Sequence, residues 1–280
     1  MPIPSSAGKE NEIVRPYGIF RMAFSFLRHY LSASNSKGHG THSPFVYDFI
    51  RKVLVHDSVI GRNKNLENLR KLLEKDETLL SVEDLGAGSS MIRGSSRKVR
   101  EIAASSLKHP RYARLLQRMA MNYQCQHILE LGTSLGLTTA YLATANDNVK
   151  VYTIEGSRAV AGKAKENFKV AGLDNIFLTY GDFDSCLPGV LEQMGKVDMV
   201  FLDGNHRLEP TIRYFEMILS YSHGGTLIIF DDIHWSPGME AAWYEVRQHP
   251  QVTATIDLFF LGIALLNPDF RQKRHFKLRY

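Results

Sequence analysis

The chain has 280 residues, enough for one large domain or for one domain with a sizeable extension. Hydrophobic residues make up 44% and charged residues 22%, as in ordinary globular proteins. No apolar run approaches the roughly 20 residues of a membrane-spanning helix, and residues 1–16 lack the apolar stretch of a secretion signal. We therefore expect a cytoplasmic protein that does not span a membrane.

The net charge of +5 is unevenly distributed, because residues 271–280 carry five basic side chains and no acidic one. In this tail Phe276, Leu278 and Tyr280 alternate with polar residues, which predicts a final edge strand with a solvated basic face. Contact with an anionic partner is the alternative. The two cysteines, Cys125 and Cys186, are far apart and match no metal-ligand spacing, so we predict free core thiols.

Residues 1–124 are predicted to form a helical N-terminal extension or lid, ahead of a main domain at 125–280. Its first helix is indicated by five apolar residues at helical spacing: Phe20, Ala23, Phe24, Leu27 and Leu31. We expect this helix to pack on the main domain, and a helix lying on a membrane surface is the alternative.

Two turn-rich segments follow in this extension. At 37–44, Ser43 and Pro44 are typical of a helix start, and His39 and His42 are predicted to be loop residues that could reach a substrate or a metal. At 81–90 a second glycine turn lacks an apolar helix after it. We predict a loop there, with anion binding over the active site as one option, and not a second cofactor site.

From residue 128 onward, strand-like apolar runs alternate with helical patterns, which predicts an α/β fold. The fold class is a doubly wound, mostly parallel sheet of seven strands, Rossmann-like, with the last two strands forming a hairpin. The predicted strands are 128–131, 149–154, 176–180, 197–202, 226–230, 253–258 and 259–266.

Acidic residues recur at the predicted ends of these strands. Ligands of parallel α/β sheets bind at the carboxyl ends of the strands, so repeated acids at that edge indicate a site. The residues are Glu130, Glu155, Asp182, Asp203, Asp231 and Asp232.

The turn from Gly132 to Gly136 follows a buried strand and opens a helix, which is typical of a nucleotide-binding loop. It lacks the middle glycine that admits a dinucleotide pyrophosphate. The preceding Glu130 would repel a pyrophosphate but could attract a cation. This charge pattern favours S-adenosylmethionine, which carries an ammonium and a sulfonium, over NAD.

The segment from Glu130 to Gly136 resembles motif I of class I S-adenosylmethionine-dependent methyltransferases, most closely in the catechol and caffeoyl-CoA O-methyltransferase branch. Segment 153–155 resembles the ribose-binding motif, and 181–188 is similar to the loop beside the adenine. The front of the chain resembles bacterial methyltransferases of unassigned substrate. The resemblance implies these cofactor-binding residues: Glu130, Gly132, Thr133, Ser134, Gly136, Glu155, Gly156, Asp182, Phe183 and Asp203.

The resemblance also implies a divalent metal, such as Mg²⁺, that lowers the pKa of the acceptor hydroxyl and is held by Asp203, Asp231 and Asp232. The chain departs from that family in two ways: Asp231 is followed by Asp232 and not by asparagine, and His206 stands where the family has a lysine base. We predict Asp203 and His206 as the catalytic residues. A metal-free enzyme remains the alternative.

Two neighbouring residues have more than one interpretation. His234 is a candidate base, ligand or loop residue, and Trp235 either walls the acceptor pocket or packs in the interior.

The leading hypothesis is a small-molecule O-methyltransferase with S-adenosylmethionine as cofactor and a homodimer as one possible assembly. A nucleic-acid methyltransferase is second, motivated by the basic tail and the arginines between 93 and 100. A non-catalytic binding protein with a cofactor fold is third, and an NAD oxidoreductase is fourth. The sequence does not specify the methyl acceptor.

Overall fold

The structure is a computed structural model that describes residues 15–33, 43–55, 63–82 and 95–280. The chain divides into two units by its internal contacts. The terminal unit comprises the described residues of 1–41 and 202–280, and the central unit those of 42–201. The predicted division between residues 124 and 125 does not coincide with this one and stays a prediction.

In chain order the described helices are α1 (Ile19–Ser32), α2 (Pro44–Phe49), α3 (Lys64–Leu73), α4 (Val99–Ser106), α5 (Pro110–Asn122), α6 (Leu137–Ala143), α7 (Arg158–Ala171), α8 (Phe183–Met194), α9 (Leu208–Leu219) and α10 (Pro237–Gln248). The described strands are β1 (Leu79–Val82), β2 (Ser95–Lys98), β3 (His127–Leu131), β4 (Lys150–Glu155), β5 (Ile176–Tyr180), β6 (Val197–Leu202), β7 (Ser222–Asp231), β8 (Ala254–Asp257), β9 (Leu261–Leu265) and β10 (Arg274–Lys277).

The sheet of the central unit has the strand order β6-β3-β4-β5. Strands β3, β4 and β5 run parallel, with Leu131 opposite Ile154 and Glu155 opposite Tyr180. The inner strands are buried along almost their whole length, because helices cover parallel sheets and the strands read as continuous apolar runs. This register brings the carboxyl ends of the three strands to one edge.

A hydrophobic core in the central unit fixes the glycine turn to its helices. Leu135, within the turn, packs in one cluster with side chains of α3, α4, α6 and α7. The amide of Asn167 on α7 also donates to the Leu135 carbonyl at 2.8 Å. Since each buried leucine contributes about 1.5–3 kcal/mol, this cluster gives the turn a rigid base.

The N-terminal part of the central unit, up to β2, is only partly as predicted. Ser43 caps α2 by accepting from the Val46 amide, and α2 continues as a π-helical turn, Ile50–Leu54, that buries its apolar side chains. However, 1–124 is not wholly helical, because β1 and β2 form an antiparallel ribbon. Strands of four residues are too short to give a clear alternation in the sequence. The predictions for His39, His42, Arg93 and the glycine turn at 83–90 lie outside the described residues.

The terminal unit contains the strand order β10-β8-β9-β7. Strand β9 pairs antiparallel with both β7 and β8, which confirms the predicted hairpin of β8 and β9. Strand β10 pairs parallel with β8 and confirms the predicted edge strand. All seven strands of the sheet prediction are present, and β10 is an eighth.

Helix α1 forms where predicted and contacts residues of the 202–280 segment, as expected, but its apolar stripe is not the face that packs. Phe20 is 93% exposed and Phe24 67%, and Leu27 and Leu31 are exposed as well. A different face is packed: His29 is buried, and the Phe26 ring meets the edge of Phe259 at 5.1 Å. Spacing alone could not distinguish these faces, because both carry aromatic residues.

Among residues 15–33, 43–55, 63–82 and 95–280, no helix is both long enough and apolar enough to cross a membrane.

Candidate active site

The glycine turn after β3 depends on backbone conformations that L side chains rarely adopt. Gly132 has φ 101° and Gly136, which begins α6, has φ 79°. A Cβ added at Gly136 would lie 2.4 Å from the Phe168 ring and 3.2 Å from the Ala164 Cβ. Only glycine therefore allows α6 to approach α7 this closely while the turn stays open.

Glu155, at the end of β4, joins the two loops that the sequence predicted to hold the cofactor. Its carboxylate accepts the Ser134 amide at 2.8 Å and the Ser157 amide at 2.9 Å. Burial raises the pKa of Glu155, and the backbone amides oppose this rise without cancelling it. A carboxylate fixed beside a glycine turn is suited to accept hydrogen bonds from ribose hydroxyls.

Glu130 is completely buried, below the turn. Its Oε2 accepts hydrogen bonds from the hydroxyls of Thr139 and Thr153, and the Thr153 hydroxyl lies 2.6 Å from that of Thr133. Glu130 therefore ties β3, β4 and the start of α6 together. Its predicted role as a charge partner for the ammonium of the cofactor remains a prediction.

The end of β5 adds the third strand end of the predicted cofactor site. The Gly181 amide donates to the Glu155 carbonyl at 3.0 Å, so the β5 loop is attached to the loop containing Gly156. Asp182 caps α8 by accepting the Ser185 amide, and this hydrogen bond lowers the Asp182 pKa. Phe183 follows and is half-buried.

Ser106 was not predicted to belong to this site. Its hydroxyl, at the end of α4, donates to the Ile102 carbonyl and lies 2.7 Å from the Ser134 hydroxyl. The two serines are separated by 28 positions. No local motif marks a single serine at a helix end, so its place beside Ser134 could not be predicted from the sequence.

The terminal unit holds the second group of predicted residues. Asp203 follows β6, and Asp231 ends β7 with 2% exposure. Their carboxylate oxygens and a ring nitrogen of His206 all lie within 4.8 Å of one another. His206 Nε2 is 3.7 Å from Asp203 Oδ1, so the carboxylate can orient the imidazole.

Asp232 is not part of this group, although the sequence placed it among the metal ligands. Its backbone is left-handed, with φ 54°, and its amide donates to the Phe260 carbonyl at 2.8 Å. The loop then turns back, since the Trp235 amide donates to the Asp232 carbonyl. The Trp235 ring lies 5.8 Å from that of His206, and both interpretations of Trp235 stay predictions.

The donor set of Asp203, Asp231 and His206 fits a divalent cation. Two carboxylates can hold Mg²⁺ together with water molecules. An imidazole as third donor is better suited to softer ions such as Mn²⁺ or Zn²⁺. The structure thus brings together two of the three predicted ligands and adds the predicted base to them.

Residues 129–233 match the family model described as a methyltransferase domain. The chain is 34% identical over 127 residues to a catechol O-methyltransferase of Niastella koreensis, and 29% identical over 138 residues to a probable O-methyltransferase of Mycobacterium tuberculosis. These matches cover 44% and 46% of this chain, and 57% and 58% of the two relatives. The chain therefore spans little more than half the length of these curated relatives.

A similar solved structure is the O-methyltransferase from Bacillus cereus in complex with S-adenosylhomocysteine. It has a TM-score of 0.54 and 20% sequence identity, over 77% of this chain and 96% of that chain. At this identity the similarity establishes the fold alone. That fold is the α/β Rossmann-like methyltransferase fold, with a mostly parallel sheet and an N-terminal helical region.

Residues 129–233 are therefore similar in sequence to a methyltransferase domain, and the chain has the Rossmann-like methyltransferase fold. Both curated relatives named above are O-methyltransferases or probable O-methyltransferases, and they match this chain over less than half its length.

Proposed function

We propose that this protein transfers a methyl group from S-adenosylmethionine to an oxygen atom of a small molecule. The observation that carries the proposal is the junction of the glycine turn with Glu155, through the Ser134 amide at 2.8 Å. The Glu155 carboxylate therefore lies beside a turn in which Gly132 has no side chain. The relatives named above, a catechol and a probable O-methyltransferase, support oxygen as the acceptor atom.

In this proposal the central unit binds the cofactor. Glu155 accepts hydrogen bonds from the ribose, and Gly132, Thr133, Ser134 and Gly136 line the methionine part. Gly156, Asp182 and Phe183 border the adenine, and Glu130 sets the charge below the turn. Asp203 remains a proposed cofactor contact as well.

The terminal unit supplies the group that takes the acceptor proton. His206 is the proposed base, because imidazole accepts a proton near neutral pH and Asp203 stabilises the resulting imidazolium. A divalent cation bound by Asp203 and Asp231 would lower the pKa of the acceptor hydroxyl. Whether or not a cation is bound, His206 Nε2 lies 3.7 Å from the Asp203 carboxylate, which can orient the ring.

Nucleic acid is a poorer candidate acceptor, because several of the basic residues in the two segments that suggested it are already paired. Lys98 and Arg100 both form salt bridges with Glu77, at 2.6 and 2.8 Å. In the tail, Lys273 donates to the Gln248 and His249 carbonyls, and Arg279 donates to the Tyr30 carbonyl. Phosphate binding would have to break these contacts.

The proposal is tested by transfer of a tritiated methyl group from S-adenosylmethionine to a panel of phenols, carboxylic acids, sugars and RNA. Each acceptor is assayed with Mg²⁺, with Mn²⁺ and with chelator. We expect transfer to a phenol or another hydroxyl compound, and at least a 100-fold loss of kcat in Asp203→Ala. The matched control Asp269→Ala, an exposed aspartate of the same unit, keeps wild-type activity.

Full turnover by Asp203→Ala would exclude both proposed roles of this carboxylate. Methyl transfer to RNA alone, falling steeply with salt, would replace the small molecule by nucleic acid.

A further inference from the structure

A second cluster of chemistry-bearing side chains lies in the terminal unit and has no role in the proposed reaction. His29 of α1, His234 of the loop after β7 and Asp257 of β8 place one ligand atom each within 4.8 Å of the others. His29 and Asp257 are buried, at 7% and 6% exposure. Because α1 and β8 are far apart in the chain, no sequence motif indicates this group.

The hydrogen bonds of His29 define its tautomer. Its Nε2 lies 3.3 Å from the Leu278 carbonyl, which can only accept, so Nε2 carries the proton. The Nδ1 of a neutral ring is then a lone pair, and it has no hydrogen-bond partner among the described residues. It faces Asp257 Oδ1 at 3.5 Å. A cation would be stabilised between a buried lone pair and a carboxylate that face each other in this way.

His234 has carboxylates at both ring nitrogens. Its Nε2 lies 3.0 Å from Asp257 Oδ2, and its Nδ1 lies 3.3 Å from Glu240 Oε1. The hydroxyl of Tyr17 in turn donates to Glu240 at 2.7 Å. A ligating histidine usually donates its second N–H to an outer carboxylate in this way, which fixes the orientation of the ring.

The ligand atoms are close enough to share one ion, since all three lie within 4.8 Å of one another. Bonds of about 2.0–2.1 Å from Zn²⁺ to nitrogen or oxygen imply ligand atoms roughly 3.3–3.4 Å apart in a tetrahedral site. His29 Nδ1 lies 3.5 Å from Asp257 Oδ1 and His234 Nε2 lies 3.0 Å from Asp257 Oδ2, so each imidazole faces a different oxygen of this carboxylate.

Phe259 closes the cluster from solvent. Its ring stacks on His234 at 5.2 Å and meets His29 edge-on at 5.5 Å, and it is 2% exposed. Its backbone is left-handed, with φ 73°, which is costly for a bulky residue. The Phe259 amide donates to Asp257 Oδ1 at 2.9 Å, so the same carboxylate holds this strained position.

We propose that His29, His234 and Asp257 bind a divalent transition-metal ion, best matched by Zn²⁺. Two imidazoles and one carboxylate suit Zn²⁺. They would bind Mg²⁺ only weakly, because Mg²⁺ prefers oxygen donors. The ion joins α1, β8 and the loop after β7, and a water molecule can complete its four ligands. Because that loop also carries Trp235, the ion holds the ring that contacts His206.

The test is metal analysis of the full chain, expressed with a tag that contains no histidine. Protein stripped with chelator is dialysed against Zn²⁺, and bound metal per chain is measured in an Asp203→Ala background, which removes a ligand of the other group. We expect one equivalent, with at least tenfold weaker binding in His29→Gln and in Asp257→Asn. The control His249→Gln removes a histidine that pairs with Glu216 at 3.4 Å in the same unit, and it keeps the metal.

A second measurement requires no substitution of the cluster. Co²⁺ in place of Zn²⁺ should give the visible absorption of a four-coordinate ion, which an imidazolium between two carboxylates cannot produce. If neither ion is retained, or if retention is the same in His29→Gln, the cluster is a hydrogen-bonded ion pair and the proposal is wrong. Binding of S-adenosylhomocysteine, measured on the same samples, reports the proposed methyl-donor site independently.

Discussion

At the scale of single residues, two carboxylates of the central unit carry different tasks. Glu130 is completely buried and bonded to threonine hydroxyls, whereas Glu155 is partly exposed and accepts two backbone amides. Glu155 therefore offers a polar edge to a ligand, while Glu130 stabilises the strands below the turn. This difference follows from position along the strand: Glu130 lies inside β3, and Glu155 is the last residue of β4.

Glu155→Gln tests this assignment. Glutamine keeps the volume but replaces one acceptor oxygen by a donor, so the Ser134 or Ser157 amide loses its acceptor. Because hydrogen bonds to charged groups contribute about 1.5–3 kcal/mol, we expect roughly 10- to 100-fold weaker binding of S-adenosylhomocysteine in calorimetry. Glu166→Gln, on the exposed face of α7, is the matched control and should bind as wild type.

Equal affinity of Glu155→Gln and wild type would mean that Glu155 is structural and the ribose is held elsewhere.

The contacts between distant residues were the part of the site that the sequence could not provide. Strand-end rules predicted Glu155 next to the glycine turn, because adjacent parallel strands end at one edge. No such rule links His29 to Leu278, which are 249 positions apart, or Ser106 to Ser134. The same limit applies to Asp232, because its left-handed backbone, which the sequence does not reveal, accompanies a loop in which His206 and not Asp232 is grouped with Asp203 and Asp231.

At the scale of elements, the strands were well predicted because their physical signature is strong. β5 and β6 have the predicted bounds, since both are apolar runs rich in strand-forming residues, and β6 is also almost wholly buried. Strand β7 begins four residues earlier than predicted, at Ser222, because its first residues are polar or glycine. The ribbon β1–β2 and the packed face of α1 depend on tertiary contacts and were missed.

The approach of α6 to α7 depends on Gly136. In Gly136→Ala the new Cβ overlaps the Phe168 ring and the backbone stays at a φ that alanine disfavours. We expect a loss of stability of about 1–3 kcal/mol, measured by urea unfolding, together with weaker binding of S-adenosylhomocysteine.

Gly162→Ala is the control for this substitution. Gly162 lies inside α7 with no atom within 4 Å of an added Cβ, so alanine should stabilise the helix by about 1 kcal/mol. Equal stability of the two variants would show that α6 and α7 do not need this contact.

At the scale of the whole molecule, the two units contribute different chemistry. The central unit contains the glycine turn, Glu155 and the loop at Asp182, which together form the proposed cofactor site. The terminal unit contains two groups of acidic and histidine residues, one with His206 and one with His234. The proposed enzyme therefore uses the first unit for the methyl donor and the second for proton removal and for metal binding.

The central claim is that the turn after β3 binds S-adenosylmethionine, and its most direct test is calorimetric titration with S-adenosylhomocysteine. We predict one binding site per chain in the wild-type protein and no measurable binding in Gly132→Arg, because the arginine fills the space beside the turn and opposes its φ of 101°. Wild-type protein that does not bind S-adenosylhomocysteine, or a Gly132→Arg variant that binds it with unchanged affinity, would contradict the account.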